Sequence, residues 1–147
     1  MATFISHSPE QTAALGESWG AQAQCGWIIG LSGELGAGKT QLVKGLARGL
    51  NVQARVQSPS FNLVHIYPGG RLPLFHLDLY RLDSPQQILA AGLEPYLVRP
   101  QGVCVVEWID KWLLQPPAPS GMVRLRHVRI VTRGETEREI SYEDFGP

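Results

Sequence analysis

Gly33-Glu34-Leu35-Gly36-Ala37-Gly38-Lys39-Thr40 spells G-x-x-x-x-G-K-[ST], a pattern whose fixed positions all suit a nucleotide's phosphates. Gly33 and Gly38 permit backbone angles and close approaches that a Cβ would block, so successive N–H groups converge into an anion nest. Lys39 adds a point charge for the β- and γ-phosphates, and the Thr40 hydroxyl suits the Mg²⁺ that bridges them. With Gly near 7% of average composition, a chance match in a chain this long has odds of roughly one in two hundred. Context agrees with pattern: Trp27-Ile28-Ile29-Gly30-Leu31 reads as a short buried strand, and Gln41 to Leu50 has helical apolar spacing. The loop therefore feeds a helix start, where unsatisfied N–H groups and the helix dipole attract phosphate further. Residues 33–41, including Gln41, form the expected phosphate-binding set.

A bound metal needs an acid, and Asp78 is the first candidate because it closes the strand Leu72-Pro73-Leu74-Phe75-His76-Leu77, as a Walker B carboxylate does. The alternative is a strand-end Asp that caps the following turn. Glu107 ends the apolar run Val103-Cys104-Val105-Val106 in the same way, and parallel strands deliver ligand groups at their carboxyl ends. It is either a second carboxylate that orients water or meets the metal, or an acid at a helix start. Lys39, Asp78 and Glu107 are thus the catalytic candidates, with Thr40, Asp78 and Glu107 as metal candidates.

Neighbouring residues divide less cleanly. Trp108 either covers part of the site or belongs to the core, and His76 either serves the site or is a hydrogen-bonded core histidine. Ser58-Pro59-Ser60-Phe61 lies where P-loop switch proteins sense the γ-phosphate, so Ser60 either joins the Mg²⁺ shell or sits in a plain turn. Arg81 either neutralises phosphoryl charge or pairs with an acid such as Asp83. Lys44 and Arg48 are expected to face solvent. Arg124, Arg126, Arg129 and Arg133 are expected to give the C-terminal strand a basic edge, either solvated or a docking face for a partner or RNA.

The 147 residues, 44% hydrophobic, make one domain over residues 1–147. A formal net charge of zero argues against a long-range field for nucleic acid. Cys25 and Cys104 lack metal-ligand or disulfide-framework spacing and are expected to be reduced core residues. With neither a signal-type N-terminus nor an apolar stretch of bilayer length, a cytoplasmic protein that does not enter the membrane is expected, as a monomer or weak oligomer when alone.

Along the chain, Thr3 to His7 is an expected edge strand, and Ser8-Pro9-Glu10-Gln11 opens a helix running to about Ala23. Phe61 to Tyr67 and Leu72 to Leu79 form a hairpin about Pro68-Gly69-Gly70. Pro85 to Ala91 is a short helix, Val103 to Val106 a central parallel strand, and a short helix follows near Asp110 to Leu114. Pro116 to Gly121 is a connector. In Met122 to Arg133 the apolar alternation changes phase, which points to a bulge near His127, and Arg138 to Tyr142 is a last antiparallel strand. The fold class is α/β: a P-loop NTPase fold with a mixed, mostly parallel sheet flanked by helices and carrying antiparallel hairpin strands.

Together, Gly33 to Thr40, Val56-Gln57-Ser58-Pro59-Ser60-Phe61, His76-Leu77-Asp78-Leu79-Tyr80-Arg81-Leu82, Gly92-Leu93-Glu94-Pro95-Tyr96-Leu97 and Val106-Glu107-Trp108 resemble the TsaE (YjeE) ATPases of bacterial tRNA threonylcarbamoyladenosine modification. They come in that family's order over about two-thirds of the chain. The chain departs from the pattern at Ser60, where Thr is usual, and at Pro95, where a second acid is usual. The resemblance implies ATP or ADP and Mg²⁺ as ligands, slow ATP hydrolysis, and TsaB and TsaD as partners, with tRNA reached through their complex. It also raises the switch reading of Ser60. Other classes remain: a small-molecule phosphotransferase, which would need a lid that no segment supplies, and a nucleotide-sensing adaptor without turnover. The only D-K pair, Asp110-Lys111, lacks the rest of the guanine-reading N-K-x-D, so adenine is the expected base.

Overall fold

The computed structural model describes residues 2–33, 38–53, 55–57, 62–113 and 124–146. Seven strands form one sheet: β1 (Ala2–Ser6), β2 (Trp27–Gly33), β3 (Val64–Tyr67), β4 (Leu74–Asp78), β5 (Val103–Glu107), β6 (Arg124–Thr132) and β7 (Arg138–Phe145), in the order β1-β7-β6-β2-β5-β4-β3. The central strands β6, β2, β5 and β4 run parallel, while β7, β1 and β3 add antiparallel flanks. Helices α1 (Pro9–Gln22), α2 (Lys39–Gly49), α3 (Pro85–Ala90) and α4 (Glu94–Val98) accompany the sheet. Two apolar clusters form, one with α1 and α2 and the other with α3 and α4. A strand with apolar groups in both clusters reads as an unbroken apolar run, and β2 and β5 are such strands.

Local chemistry accounts for the helix starts. Ser8 and Ser84 accept from the N–H groups of Gln11 and Gln87, and each is followed by a proline whose missing N–H costs nothing there. Helix α1 is keyed to α2 by small residues. A Cβ on Gly16 would come 2.2 Å from the Leu42 carbonyl oxygen, and one on Gly45 only 1.8 Å from that of Ala13. The two backbones pack closer than any larger side chain allows, which ties α1 to α2.

The hairpin β3–β4, the central strand β5 and the final strand β7 stand where expected, and a short 3₁₀ turn, Ile109–Lys111, follows β5. The Pro116–Gly121 connector lies outside the described residues. Three expectations need correction. β6 has no bulge near His127, since its register with β2 and β7 is continuous. The phase change instead marks a switch of buried face: Leu125 packs in the α3/α4 cluster, and Val128 and Ile130 in the other. Nor is β6 an edge, because it lies between β7 and β2. Its Arg126 forms a two-point ion pair with Asp144 and stacks against Trp19 and Tyr142. Finally, Cys25 is exposed, and only Cys104 is a core thiol, its pKa pushed up by burial.

Candidate active site

Lys39 is the first residue of α2, and its aliphatic stem lies along buried surface. Its Nζ donates to the Gly33 carbonyl at 2.8 Å and stands 3.8 Å from the centre of the Trp108 ring. Burial lowers its pKa, against the opposing pull of Glu107, Asp78 and Asp110. Gly38 precedes it with φ 98°, a left-handed angle that glycine takes without strain. Gly33, at φ 141°, lies so close to β6 that a Cβ would come 2.3 Å from the Ile130 carbonyl oxygen. Both motif glycines are therefore sterically required. Glu34, Leu35, Gly36 and Ala37 lie outside the described residues, as does Ser60.

The acids arrive by strand register. Asp78 and Glu107, the last residues of β4 and β5, are direct cross-strand partners, and both are buried. Asp78 Oδ1 accepts from the Tyr80 N–H at 2.9 Å, so the turn-capping role is real for one oxygen. Glu107 Oε2 lies 2.6 Å from Nε2 of His76, which is wholly buried. His76, Asp78 and Glu107 share one sheet face because β4 and β5 alternate in phase.

Trp108 follows Glu107 at φ 61°, a left-handed conformation costing an aromatic residue on the order of 1–3 kcal/mol. Its ring, flanked by Lys39 and by Tyr80 at a 5.1 Å centroid separation, is part of the site's wall rather than core alone.

These groups open on one cleft of about 420 Å³. Lys39, Thr40, Gln41, Asp78, Glu107 and Trp108 line it. So do Ser8, Pro9 and Thr12 from the start of α1, Glu135 and Thr136 from the turn between β6 and β7, and Arg138 at the start of β7. Thr12 is buried, with its hydroxyl 2.7 Å from that of Ser6. Arg138 Nη1 donates to the carbonyls of Gly134 and Glu137, each at 3.0 Å, and its Nε reaches within 3.9 Å of where a Gly38 Cβ would stand.

Sequence reasoning missed the turn residues Glu135, Thr136 and Arg138. Its available signal was the alternation of β7, which fixes where that strand begins. Arg81 is exposed and is not among the described cleft residues; Lys44 and Arg48 are exposed on α2, as expected. Among the described residues no three His, Cys, Asp or Glu side chains gather to hold a metal by themselves.

The chain matches the profile of the family described as "Threonylcarbamoyl adenosine biosynthesis protein TsaE" over residues 6–140. It belongs to the TsaE family. It is 38% identical to the tRNA threonylcarbamoyladenosine biosynthesis protein TsaE of Bacillus subtilis over 95% of this chain and 83% of that protein. Its match to the TsaE of Nostoc sp. is 43% identical over 73% of this chain and 67% of the relative. The crystal structure of YdiB from Bacillus subtilis superimposes with a TM-score of 0.76 at 35% identity, covering 96% of this chain and 83% of that one. The TsaE profile spans every described cleft residue, the β6–β7 turn included. Among the described residues no helix is long and apolar enough to cross a membrane.

Proposed function

We propose that the cleft binds ATP with Mg²⁺ and hydrolyses it slowly, as the nucleotide-driven component of tRNA threonylcarbamoyladenosine biosynthesis, working through a TsaB–TsaD complex. The observation that carries this reading is the convergence of Lys39 and Thr40 with Asp78 and Glu107 on one cleft. Lys39 meets the β- and γ-phosphates, exchanging its contacts with Gly33 and Trp108 for phosphate oxygens. The Thr40 hydroxyl and the Asp78 carboxylate would hold the ion, and Glu107 would orient the attacking water. When bound, Mg²⁺ offsets charge on the reacting phosphates.

The donor set fits such an ion. It consists of hard oxygens, and a site with two acids rather than a full protein cage suits Mg²⁺, which keeps waters and takes phosphate oxygens as ligands. Ser8, Pro9, Thr12 and Arg138 form the side from which the nucleoside is held. Membership of the TsaE family and the Trp108 cover over Lys39 together favour partner-dependent turnover. The partners release the lysine and complete the site.

The test is steady-state hydrolysis of ATP and GTP with Mg²⁺, by the chain alone and with purified TsaB–TsaD complex. Preferential ATP turnover, stimulated by the complex, is the expected result. Tight nucleotide binding without turnover in either condition would instead make the protein a sensing adaptor.

A further inference from the structure

His76 is wholly buried on the sheet face it shares with Asp78 and Glu107, beside apolar groups such as Val105, Leu74 and Leu31. Its Nδ1 is buried with no hydrogen-bond partner. A buried polar atom left unpaired costs on the order of 1–3 kcal/mol, so stability alone would favour an apolar residue here. The ring's other nitrogen explains the choice. His76 faces Val105 in the β4–β5 register, and Glu107 is the diagonal neighbour two residues on. The Nε2–Oε2 distance of 2.6 Å is that of a strong hydrogen bond in a site shielded from water. In this pairing the carboxylate oxygen is the natural acceptor and the imidazole N–H the donor.

Glu107 has a terminal torsion that is intrinsically broad. Fixing Oε2 removes that freedom and leaves Oε1 as the oxygen that His76 does not engage. Glu107 lines the cleft beside Asp78 and Lys39, whereas His76 is not among the described cleft residues. We propose that His76 is the positioning residue for Glu107, holding the carboxylate in the single orientation its task requires without touching nucleotide. The proposal rests on the ATPase reading above, because positioning matters only if Glu107 acts on a reacting group.

The experiment combines two single variants, a double variant and a readout independent of turnover. His76→Leu removes the donor at similar volume, and His76→Gln returns an N–H near the position of Nε2. For His76→Leu, ATP turnover with the partner complex should fall about 10–100-fold, the usual effect of losing such a support. Affinity for ADP, which lacks the reacting phosphate that Glu107 serves, should stay within about twofold by this reasoning. His76→Gln should recover most of the loss. In a Glu107→Ala background, His76→Leu should cost nothing further, because the two residues act as one unit. In nucleotide-free protein, ¹⁵N-edited NMR should show a slowly exchanging His76 Nε2–H that is lost in Glu107→Ala.

Wild-type turnover in His76→Leu, or an undiminished loss in the double variant, would overturn the proposal while leaving the ATPase reading intact. Failure of the unmodified protein to bind or hydrolyse nucleotide would overturn the ATPase reading and this proposal together. The NMR signal would then still report the bond itself.

Discussion

The buried side of the cleft, with Lys39, Asp78 and Glu107, is set by a helix start and by the register of two neighbouring parallel strands. The other part of the lining, with Thr12, Thr136 and Arg138, depends on the first strand pairing with the last: β1 meets β7 with Ser6 paired to Arg138. The first side concentrates charge in a dry setting, where each charge acts strongly and errors of position are expensive. The second is held by hydrogen bonds to nearby backbone carbonyls, from Thr12 to Ser8 and from Arg138 to Gly134 and Glu137. On the proposed ATPase reading, the contrast predicts a division of labour, in which the buried side governs turnover and the other lining residues govern how tightly nucleotide is held.

The largest break in that comparison is Lys39→Ala. It removes the buried cation that the proposed function places at the reacting phosphates, and turnover should fall by about 10³-fold or more, in the range for losing a preorganised electrostatic donor. Stability should change little, since Lys39 carries a desolvation cost that its variant sheds. Steady-state kinetics alongside thermal melts would check this. Near-normal hydrolysis would mean that the buried side has been misassigned.

Gly45→Ala attacks the link between the two sides rather than either one. The new methyl would meet the Ala13 carbonyl oxygen at 1.8 Å, a backbone atom that cannot swing away. Overpacking of this kind costs about 3 kcal/mol, outweighing any gain in helix propensity. For a chain of this size that is a drop in Tm of roughly 10 °C. Because α1 carries Ser8, Pro9 and Thr12, nucleotide affinity should fall with it even under conditions where the protein remains folded. Unchanged stability would show that the helices have room to part.

Arg138→Ala tests the other part of the lining alone. Loss of one charged contact in a solvent-open cleft should weaken ADP binding by about tenfold or less, with the turnover of saturated protein nearly unchanged. A fall in kcat at saturation instead would move Arg138 from holding nucleotide to stabilising its reaction.

The same contrast explains what the sequence made legible. Gly33, Gly38, Lys39 and Thr40 sit within eight positions, so backbone geometry and charge could be read together, and Asp78 and Glu107 were marked by apolar runs that stop at an acid. Arg138 had no such local mark, since its place depends on pairing between segments about 130 residues apart. The phase change in β6 was visible but was read as a bulge, because alternation alone cannot tell a bulge from a strand that buries residues on both faces. Helix α4, only five residues beginning Glu-Pro, was too short for a periodic signal. The pairing of Gly16 with Leu42 and of Gly45 with Ala13 went unread for another reason: a small-residue stripe shows its meaning only once the facing helix is known.

Asp144→Asn is the smallest of these changes and sharpens the comparison most selectively. β7 begins at the cleft with Arg138 and ends, on the same ladder, where Asp144 holds Arg126 through two contacts of 2.7 and 2.9 Å. That hydrogen-bonded pair lowers the Asp144 pKa, so its contribution to stability is present above the unfolded value of about 3.9 and fades as pH falls through the lowered native value. The side chain is more than a third exposed, and screening holds the contribution below about 1 kcal/mol at neutral pH. The unmodified protein and Asp144→Asn should therefore differ modestly in denaturant midpoint at pH 7 and converge as pH drops below about 4. ADP affinity should be the same in both. If it fell as it does in Arg138→Ala, that part of the lining would be a property of the whole β6–β7 ladder rather than of the turn at its end.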